Sequence, residues 1–231
     1  MLTVGAVILA AGESARLGRP KQLIQFRGKS LLRRIVDAAD EAACSPIAVV
    51  IGSDAKKIAP ELERTAAAIV ENENWRNGIG TSIRTGMQNL VERGRDLDAV
   101  ILLVSDQPLV EKELIKQLIA RYGETGKTII ASSYSETLGV PAICGRAHFR
   151  DLLTLRNDSG AKSIILSKRE RVVEFPFPQG EIDIDTLADY ERLVAQSGHS
   201  KMSGSDPGSV SPRNPTDANR WPQLGSPYDS P

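Results

Sequence analysis

Cysteine and histidine are scarce in this chain of 231 residues, and their scarcity argues against several kinds of site. Cys44 and Cys144 are the only cysteines. They lie far apart in sequence, so neither a disulfide framework nor a zinc cluster is indicated, and a reducing cytoplasm is the expected location. We expect both to be small packing residues. The two histidines, His148 and His199, stand outside any motif with an acidic or cysteine partner, and neither is expected to be catalytic.

An excess of charge of one sign is also missing, as are long apolar runs. Lys and Arg number 29, and so do Asp and Glu, which gives a net charge of zero. This balance removes the electrostatic argument for a binder of nucleic acid or of an anionic membrane. No segment approaches the roughly 18 continuous apolar residues that a membrane-spanning helix needs. The hydrophobic fraction of 41% still allows a sizeable core.

The composition changes after about Gln196. The final segment is rich in Ser, Gly, Pro, Asp and Asn, and 6 of the chain's 13 prolines fall between Pro207 and Pro231. Such a segment cannot bury enough apolar surface to offset the entropy of ordering it. We therefore expect one folded domain over residues 1–196 and a disordered low-complexity tail over 197–231. A docking segment built on Trp221 and Tyr228 is the alternative.

Short β-branched segments alternate with amphipathic segments before the tail. The predicted strands are 4–9, 47–51, 68–71 and 99–104, and the predicted helices are 30–43, 55–66, 81–92 and 111–122. This alternation favours an α/β fold with a mostly parallel sheet and helices on both faces. After Lys127 the pattern becomes less regular, with strands at 128–132, 140–144 and 171–175 and helices at 146–155 and 161–166.

A basic loop follows the first predicted strand. Ala10-Ala11-Gly12 would leave backbone N–H groups open to an anion, and Arg16 and Lys21 add two cations of the kind that a triphosphate needs. The sequence has neither GxxxxGK[ST] nor GxGxxG here, so kinase and dinucleotide-binding interpretations are disfavoured. On spacing alone, a tight βα turn that happens to be basic explains the loop equally well.

Two acidic residues could share an edge of the sheet with this loop. Asp106 directly follows a buried strand, so it could hold Mg²⁺ against bound phosphates. A turn or helix-cap aspartate is its alternative. In Ile182-Asp183-Ile184-Asp185 the two acids face the same way, and Asp185 could complete the metal site. The alternative is that Asp185 or Thr186 caps the helix expected over 187–195.

A glycine-rich stretch precedes Ser82 at a predicted helix start. Gly78 and Gly80 suit a loop that approaches a planar ligand closely and reads base edges with backbone groups and a hydroxyl. A plain loop in which Thr81 or Ser82 caps the helix is equally compatible. We expect Trp75 to be a packing anchor rather than a stacking platform.

These segments together resemble one known family. Leu9–Lys21 matches LAAGxSxRxGxPK, and the chain is similar to the MobA-like nucleotidyltransferases, especially the molybdenum cofactor cytidylyltransferase branch. The resemblance covers residues 3 to 195. The further matching segments, in the family's order, are Pro20–Leu23 with Arg27–Lys29, Asn72–Gly86, Ser105–Pro108, Ser159–Lys162 and Asp183–Thr186.

The resemblance implies a Rossmann-like sheet of the nucleotide-diphospho-sugar transferase type and assigns roles to residues. The donor would be CTP or GTP, and CTP is preferred because Ala10 and Ala11 resemble the cytidylyl branch. The implied catalytic residues are Arg16, Lys21 and Asp106, and the implied ligands of Mg²⁺ are Asp106 and Asp185. The implied nucleotide-binding residues are Leu9, Ala10, Ala11, Gly12, Arg16, Lys21, Gly80, Ser82 and Asp106.

The implied activity is an Mg-dependent transfer of CMP from CTP to the phosphate of molybdopterin, with release of pyrophosphate and a molybdoenzyme as a maturation partner. The chain departs from the branch mainly on the acceptor side, at Gly139-Val140-Pro141 and Asn157-Asp158. Two alternatives therefore stay open. One is a nucleotidyltransferase with another phosphorylated acceptor, such as a sugar phosphate or an isoprenoid precursor. The other is a non-catalytic nucleotide-binding partner protein.

Overall fold

A seven-stranded sheet forms the centre of the computed structural model, which describes residues 2–93 and 96–199. The strands are β1 (Val4–Ala10), β2 (Gln25–Phe26), β3 (Lys29–Ser30), β4 (Ile47–Ile51), β5 (Ala68–Glu71), β6 (Ala99–Val104), β7 (Ile129–Tyr134), β8 (Thr137–Gly145) and β9 (Val172–Pro176). The helices are α1 (Leu31–Glu41), α2 (Ala55–Ile58), α3 (Ile79–Arg93), α4 (Lys112–Thr125), α5 (Phe149–Leu153), α6 (Ala161–Ser167) and α7 (Leu187–His199).

The sheet is mostly parallel, as predicted. Its strand order is β5-β4-β1-β6-β8-β7-β9, while β2 and β3 form a separate hairpin. β5, β4, β1 and β6 run parallel to one another, and β7 runs parallel to β9. Only β8 runs antiparallel to its two neighbours in the sheet. Because β1, β4 and β6 are adjacent and parallel, the loops that follow them emerge at one edge of the sheet.

Alternate residues of the central strands pack into two separate layers of core. Ile8 of β1 faces a layer that contains Ile35 of α1 and Ile115 of α4. Leu9 faces the opposite layer, which contains Met87 of α3 and Ile164 of α6. The two layers show why strands that are buried along their whole length read as continuous apolar runs. The α/β fold with helices on both faces is thereby confirmed.

Most predicted elements are present, and the differences have local causes. Strands β4, β5 and β6 have the predicted bounds, and Ser30 caps α1 by accepting a hydrogen bond from the backbone of Arg33. The helix predicted over 55–66 is shorter, because α2 ends at Ile58 and gives way to a 3-10 turn that contains Pro60. The helix predicted over 146–155 likewise consists of a 3-10 turn followed by α5.

The predicted tail can be compared with the structure only at its start. Met1–Ala195 form one unit by internal contacts, and a second unit begins at Gln196. In that second unit only the last turn of α7 is described, so α7 continues past the predicted end of the domain at residue 196. The rest of the predicted tail lies outside the described residues. No helix among those described is long and apolar enough to cross a membrane.

The cysteines and His148 are packing residues. Burial raises the pKa of both Cys44 and Cys144 to about 12, which keeps their thiols protonated. His148 is buried, and its Nε2 lies 2.7 Å from the hydroxyl of Thr128. Its Nδ1 lies 3.3 Å from a carboxylate oxygen of Asp151, an acidic neighbour that the sequence analysis did not consider.

The contact between α3 and the sheet gives a stability prediction. A methyl group at Gly86 would lie 2.5 Å from Val7 Cγ1 and 2.9 Å from Val50 Cγ2. We expect Gly86→Ala to lower the free energy of unfolding by about 1–3 kcal/mol, although alanine is the better helix former. The matched control is Gly123→Ala in α4, where the added methyl group would approach only Leu2 Cδ1, at 3.1 Å. Chemical denaturation should show the control to be neutral or stabilised; an equal loss in both variants would contradict the packing.

Candidate functional site

Lys21 joins two acidic residues from distant parts of the chain. Its Nζ donates to Asp106 Oδ2 at 2.6 Å and to Asp185 Oδ1 at 2.8 Å. Lys21 opens a 3-10 turn after Pro20, and Asp106 follows the carboxyl end of β6. The backbone N–H of Ile184 donates to Asp106 O at 3.1 Å, which ties the segment of Asp185 to the same edge of the sheet. The structure thus brings together the three charged residues that the sequence predicted to meet.

The charges of this cluster stabilise one another. Burial alone would lower the pKa of Lys21, but the hydrogen bonds and charges of Asp106 and Asp185 outweigh it and raise the pKa above its usual value. The lysine is therefore held as an ammonium ion.

Asp183 adds a third carboxylate to the cluster. Desolvation and the nearby charges of Asp106 and Asp185 raise the pKa of Asp183 to about 7, against the opposing effect of Lys21. Because Asp183 is partly exposed to solvent, solvent screens part of this repulsion. One ammonium ion is thus surrounded by acidic groups that together carry more charge than it can neutralise.

The alternatives for the two aspartates hold in part, since Asp106 lies in a turn after β6 and Thr186 caps α7. Glu111, not Asp106, occupies the N-cap position of α4. At α7, Asp189 accepts from the backbone N–H of Thr186 at 2.8 Å, and the hydroxyl of Thr186 accepts from the N–H of Asp189 at 3.2 Å. This is a reciprocal cap, so Thr186 caps α7, as the alternative predicted, while Asp185 accepts from Lys21.

A solvent-open cleft with about 620 Å³ of empty space lies beside Lys21. Most of the predicted nucleotide-binding residues line it, and Arg16 and Gly80 do not. The complete lining is Leu9, Ala10, Ala11, Gly12, Lys21, Gln22, Trp75, Ile79, Ser82, Val104, Ser105 and Asp106.

Arg16 lines a second cleft on the other side of Lys21. Glu13, Ser14 and Asp185 also contribute to that cleft. In the described part of the chain the exposed guanidinium of Arg16 makes no ion pair or hydrogen bond, whereas Lys21 lines both clefts. A ligand that extends from one cleft into the other would therefore pass Lys21 and reach Arg16.

Gln22 supports the loop between β1 and Lys21, and the sequence analysis did not single it out. Its side chain is buried, and its Nε2 donates to Ala10 O at 2.8 Å and to Gly12 O at 3.3 Å. The hydroxyl of Ser14 accepts from the backbone N–H of Lys21 at 2.8 Å. These bonds fix the curvature of the loop. At Gly12 an added methyl group would meet no atom within 4 Å, so the space beside this residue is open.

Trp75 is both a packing anchor, as predicted, and a wall of the cleft. A methyl group at Gly52, just after β4, would lie 2.7 Å from Trp75 Cγ, so the indole packs against bare backbone. The guanidinium of Arg76 lies 4.3 Å from the ring centroid. Beside it, Ile79 exposes 47% of its surface. An aromatic and an aliphatic side chain thus give the cleft an apolar wall, which suits a planar ligand.

Gly80 and Ser82 have different environments. The N–H of Gly80 donates to Asn157 O at 2.9 Å, and a methyl group there would lie 1.9 Å from Arg156 O. This glycine is thus explained by close packing rather than by the predicted contact with a base. Ser82 lines the cleft, with its Oγ 2.9 Å from Asn72 Nδ2. Because α3 begins at Ile79, neither Thr81 nor Ser82 is the N-cap residue.

Comparison with known proteins agrees with this geometry. The family model described as the MobA-like NTP transferase domain matches residues 6–172. The structure of Rv0371c from Mycobacterium tuberculosis H37Rv matches with a TM-score of 0.72 and 27% sequence identity, covering 84% of this chain and 98% of that chain. The manganese complex of the same protein matches with a TM-score of 0.66, at 27% identity and with 84% and 98% of the two chains covered.

Two curated relatives show how broadly this domain occurs. The bifunctional protein GlmU of Bifidobacterium animalis subsp. lactis is 30% identical over 170 residues, which are 71% of this chain and 36% of that protein. This chain thus spans about a third of the length of that relative. The nicotine blue oxidoreductase of Paenarthrobacter nicotinovorans is 26% identical over 204 residues, which are 83% of this chain and 96% of that protein. Family and fold together support nucleotidyltransferase activity, and the chain belongs to the MobA-like NTP transferase family.

Proposed function

We propose that this protein transfers CMP from CTP to a phosphorylated acceptor and releases pyrophosphate. One observation carries the proposal: the open glycine loop after β1, the apolar cleft and the acidic residue after β6 all meet at Lys21. A turn that was basic by chance would not need to pack against an aspartate 85 residues away. GTP is the second candidate donor, because Ala10 and Ala11 favour CTP only through their resemblance to the cytidylyl branch.

The two clefts suggest how the donor lies. The base would occupy the cleft beside Trp75, Ile79 and Ser82, which offers apolar contact and a hydroxyl group. The triphosphate would follow the Ala10–Gly12 backbone past Lys21 toward Arg16. The two cations along this path, Lys21 and Arg16, oppose the negative charge of a triphosphate.

Asp106 and Asp185 are proposed to hold a divalent cation, Mg²⁺. Their oxygens converge on one point, because both accept from the same Lys21 Nζ. Among residues 2–93 and 96–199 no group of three or more His, Cys, Asp or Glu side chains is arranged to hold a metal ion. Two carboxylates nevertheless fit Mg²⁺, which commonly takes one or two protein carboxylates and completes its shell with water and phosphate oxygens. The manganese complex of Rv0371c supports a divalent ion.

Lys21 and a cation would compete for the same carboxylate oxygens. A lysine released from Asp106 and Asp185 would be free to turn toward the phosphates that it is proposed to bind. The cation would supply charge neutralisation at the phosphates. The same lysine then serves as an internal counter-ion before the donor binds and as a phosphate ligand afterwards.

The proposed reaction needs no protein nucleophile. A phosphate oxygen of the acceptor attacks the α-phosphorus of the donor, a new P–O bond forms, and the bond to the leaving pyrophosphate breaks with the electron pair on the pyrophosphate oxygen. Arg16 and Lys21 would stabilise the negative charge that grows on the leaving group. Catalysis would therefore come from positioning and charge stabilisation.

Molybdopterin is the proposed acceptor, and it rests on the resemblance to the cytidylyl branch. The departures from that branch at Asn157 and Asp158 lie close to the cleft, because Asn157 O accepts from Gly80 N and the backbone there approaches Gly78. A sugar phosphate or an isoprenoid precursor is the alternative acceptor, and a molybdoenzyme would be the partner only if molybdopterin is used.

Pyrophosphate release tests the proposal. We expect release with CTP, Mg²⁺ and molybdopterin, and a fall on the order of 100-fold or more in Lys21→Ala and in Asp106→Asn. The first substitution removes a positive charge from the phosphates, and the second removes a ligand of the cation. Lys116→Ala, at an exposed position on α4, controls for the loss of a lysine charge and should keep the normal rate. Near-normal release in Lys21→Ala or in Asp106→Asn would show that the roles are wrong.

The same assay decides between acceptors and donors. Each of the four ribonucleotides is offered with molybdopterin, a sugar phosphate and an isoprenoid precursor in turn. Release with a different acceptor would replace molybdopterin and keep the reaction type. Tight binding of CTP with Mg²⁺ but no release with any acceptor would instead favour a non-catalytic nucleotide-binding protein.

Gly12→Ala separates ligand binding from folding. The free protein has room for the methyl group, so we expect an unchanged melting temperature. In the proposed complex the phosphates lie close to the backbone of this loop, so the added methyl group should lower the affinity for CTP with Mg²⁺ at least about tenfold. Calorimetric titration measures the affinity. If Gly12→Ala bound CTP with Mg²⁺ as tightly as wild type does, the triphosphate would not lie against the backbone of this loop.

A further inference from the structure

Asn72 lies next to the nucleotide cleft and contacts two hydroxyl groups of α3. Its Nδ2 donates to Thr81 Oγ1 at 2.8 Å and to Ser82 Oγ at 2.9 Å. All three residues are at least nine-tenths buried, and of the three Ser82 lines the cleft. The amide nitrogen of Asn72 therefore donates both of its hydrogens, one to each of two adjacent residues in the first turn of α3.

The orientation of this amide is fixed from two sides. Asn72 Oδ1 accepts from the backbone N–H of Asn74 at 3.0 Å, which requires oxygen at that position. Thr81 Oγ1 donates its hydrogen to Gly78 O at 2.7 Å, with Asn74 O at 3.1 Å as a second acceptor. Since a hydroxyl has a single hydrogen to donate, Thr81 can only accept from Asn72. The amide nitrogen must then face the two hydroxyls.

This arrangement decides what Ser82 can offer to a ligand. Its oxygen already accepts from Asn72, so its own hydrogen remains to be donated. In a helix a serine commonly donates to the carbonyl four residues earlier, which here is Gly78 O. That carbonyl already accepts from Thr81 Oγ1 at 2.7 Å and from Thr81 N at 3.1 Å. Across the part of the chain that the structure describes, Ser82 Oγ has no protein acceptor, which leaves its hydrogen for the cleft.

We propose that Asn72 is a positioning residue that holds the hydroxyl of Ser82 as a hydrogen-bond donor to the bound nucleobase. The cleft would then favour a base that presents an acceptor at that point, such as N3 or O2 of cytosine. This inference rests on the proposed function, because it concerns the donor nucleotide of the same site. If the acceptor is N3, the same hydroxyl would favour cytosine over uracil, whose N3 carries a hydrogen.

Asn72→Asp tests the proposal by changing one group of nearly the same shape. The carboxylate can still accept from the N–H of Asn74, but it has no hydrogen to donate to Ser82. The hydroxyl of Ser82 would then donate to the carboxylate and would present only lone pairs to the cleft. Removing the hydroxyl altogether, in Ser82→Ala, should have the same effect on the nucleotide by another route.

The experiment is a double-mutant cycle on the full chain, with affinity for CTP and Mg²⁺ measured by calorimetry. We expect Ser82→Ala and Asn72→Asp each to weaken binding by about tenfold, the size of one lost hydrogen bond. The double variant should bind no more weakly than the weaker single variant, because both remove the same bond. Asn77→Asp adds the same charge at an exposed position of the same loop and should bind normally. Melting temperatures are measured alongside.

Two results would overturn the proposal. Additive losses, with about a 100-fold weakening in the double variant, would mean that Asn72 acts independently of Ser82. Normal binding in Ser82→Ala would mean that the hydroxyl does not contact the base. Normal binding in Asn72→Asp would mean that Asn72 does not orient that hydroxyl. If Asn72→Asp does not fold, Asn72→Ser replaces it, and that variant should bind more weakly than wild type. Failure of the wild-type protein to bind CTP would instead contradict the proposed function itself.

Discussion

The rest of the site depends on the bridge from Lys21 to Asp106 and Asp185. It joins the loop after β1, the end of β6 and the segment before α7, which are separated by up to 164 residues in sequence. The lysine stays charged because two carboxylates outweigh the cost of its burial. The two carboxylates outnumber the one lysine, and such an excess of negative charge favours a cation and a polyanionic ligand entering together.

The sheet explains why these groups can meet. Parallel pairing of β1 with both β4 and β6 places three strand ends at one edge, where backbone groups are available and side chains can converge. Buried side chains then refine the edge. Gln22 holds the backbone of the loop after β1, Trp75 packs against Gly52 beside the cleft, and Asn72 donates to Ser82. The charged residues would bind the phosphates, and the buried amides of Gln22 and Asn72 hold the backbone and the hydroxyl that surround them in place.

The sequence predicted the strands and the charged residues well because both leave local signals. A strand buried on both faces, such as β6, reads as an unbroken apolar run, and Asp106 directly after it is conspicuous. Gln22 and Asn72 leave no such signal, because their importance lies in bonds to the backbone or to hydroxyls that only the folded chain brings near. Gly80 was associated with the base, since a glycine near a ligand loop looks the same in sequence whether it faces a ligand or a neighbouring backbone.

Competition between Lys21 and a cation for the carboxylates of Asp106 and Asp185 can be measured without any acceptor. Binding of Mn²⁺ to the nucleotide-free protein is followed by electron paramagnetic resonance in wild type, Lys21→Met and Asp106→Asn. The account predicts tighter binding in Lys21→Met, because the carboxylates lose their internal counter-ion, and weaker binding in Asp106→Asn. Binding in Lys21→Met that is no tighter than in wild type would contradict it.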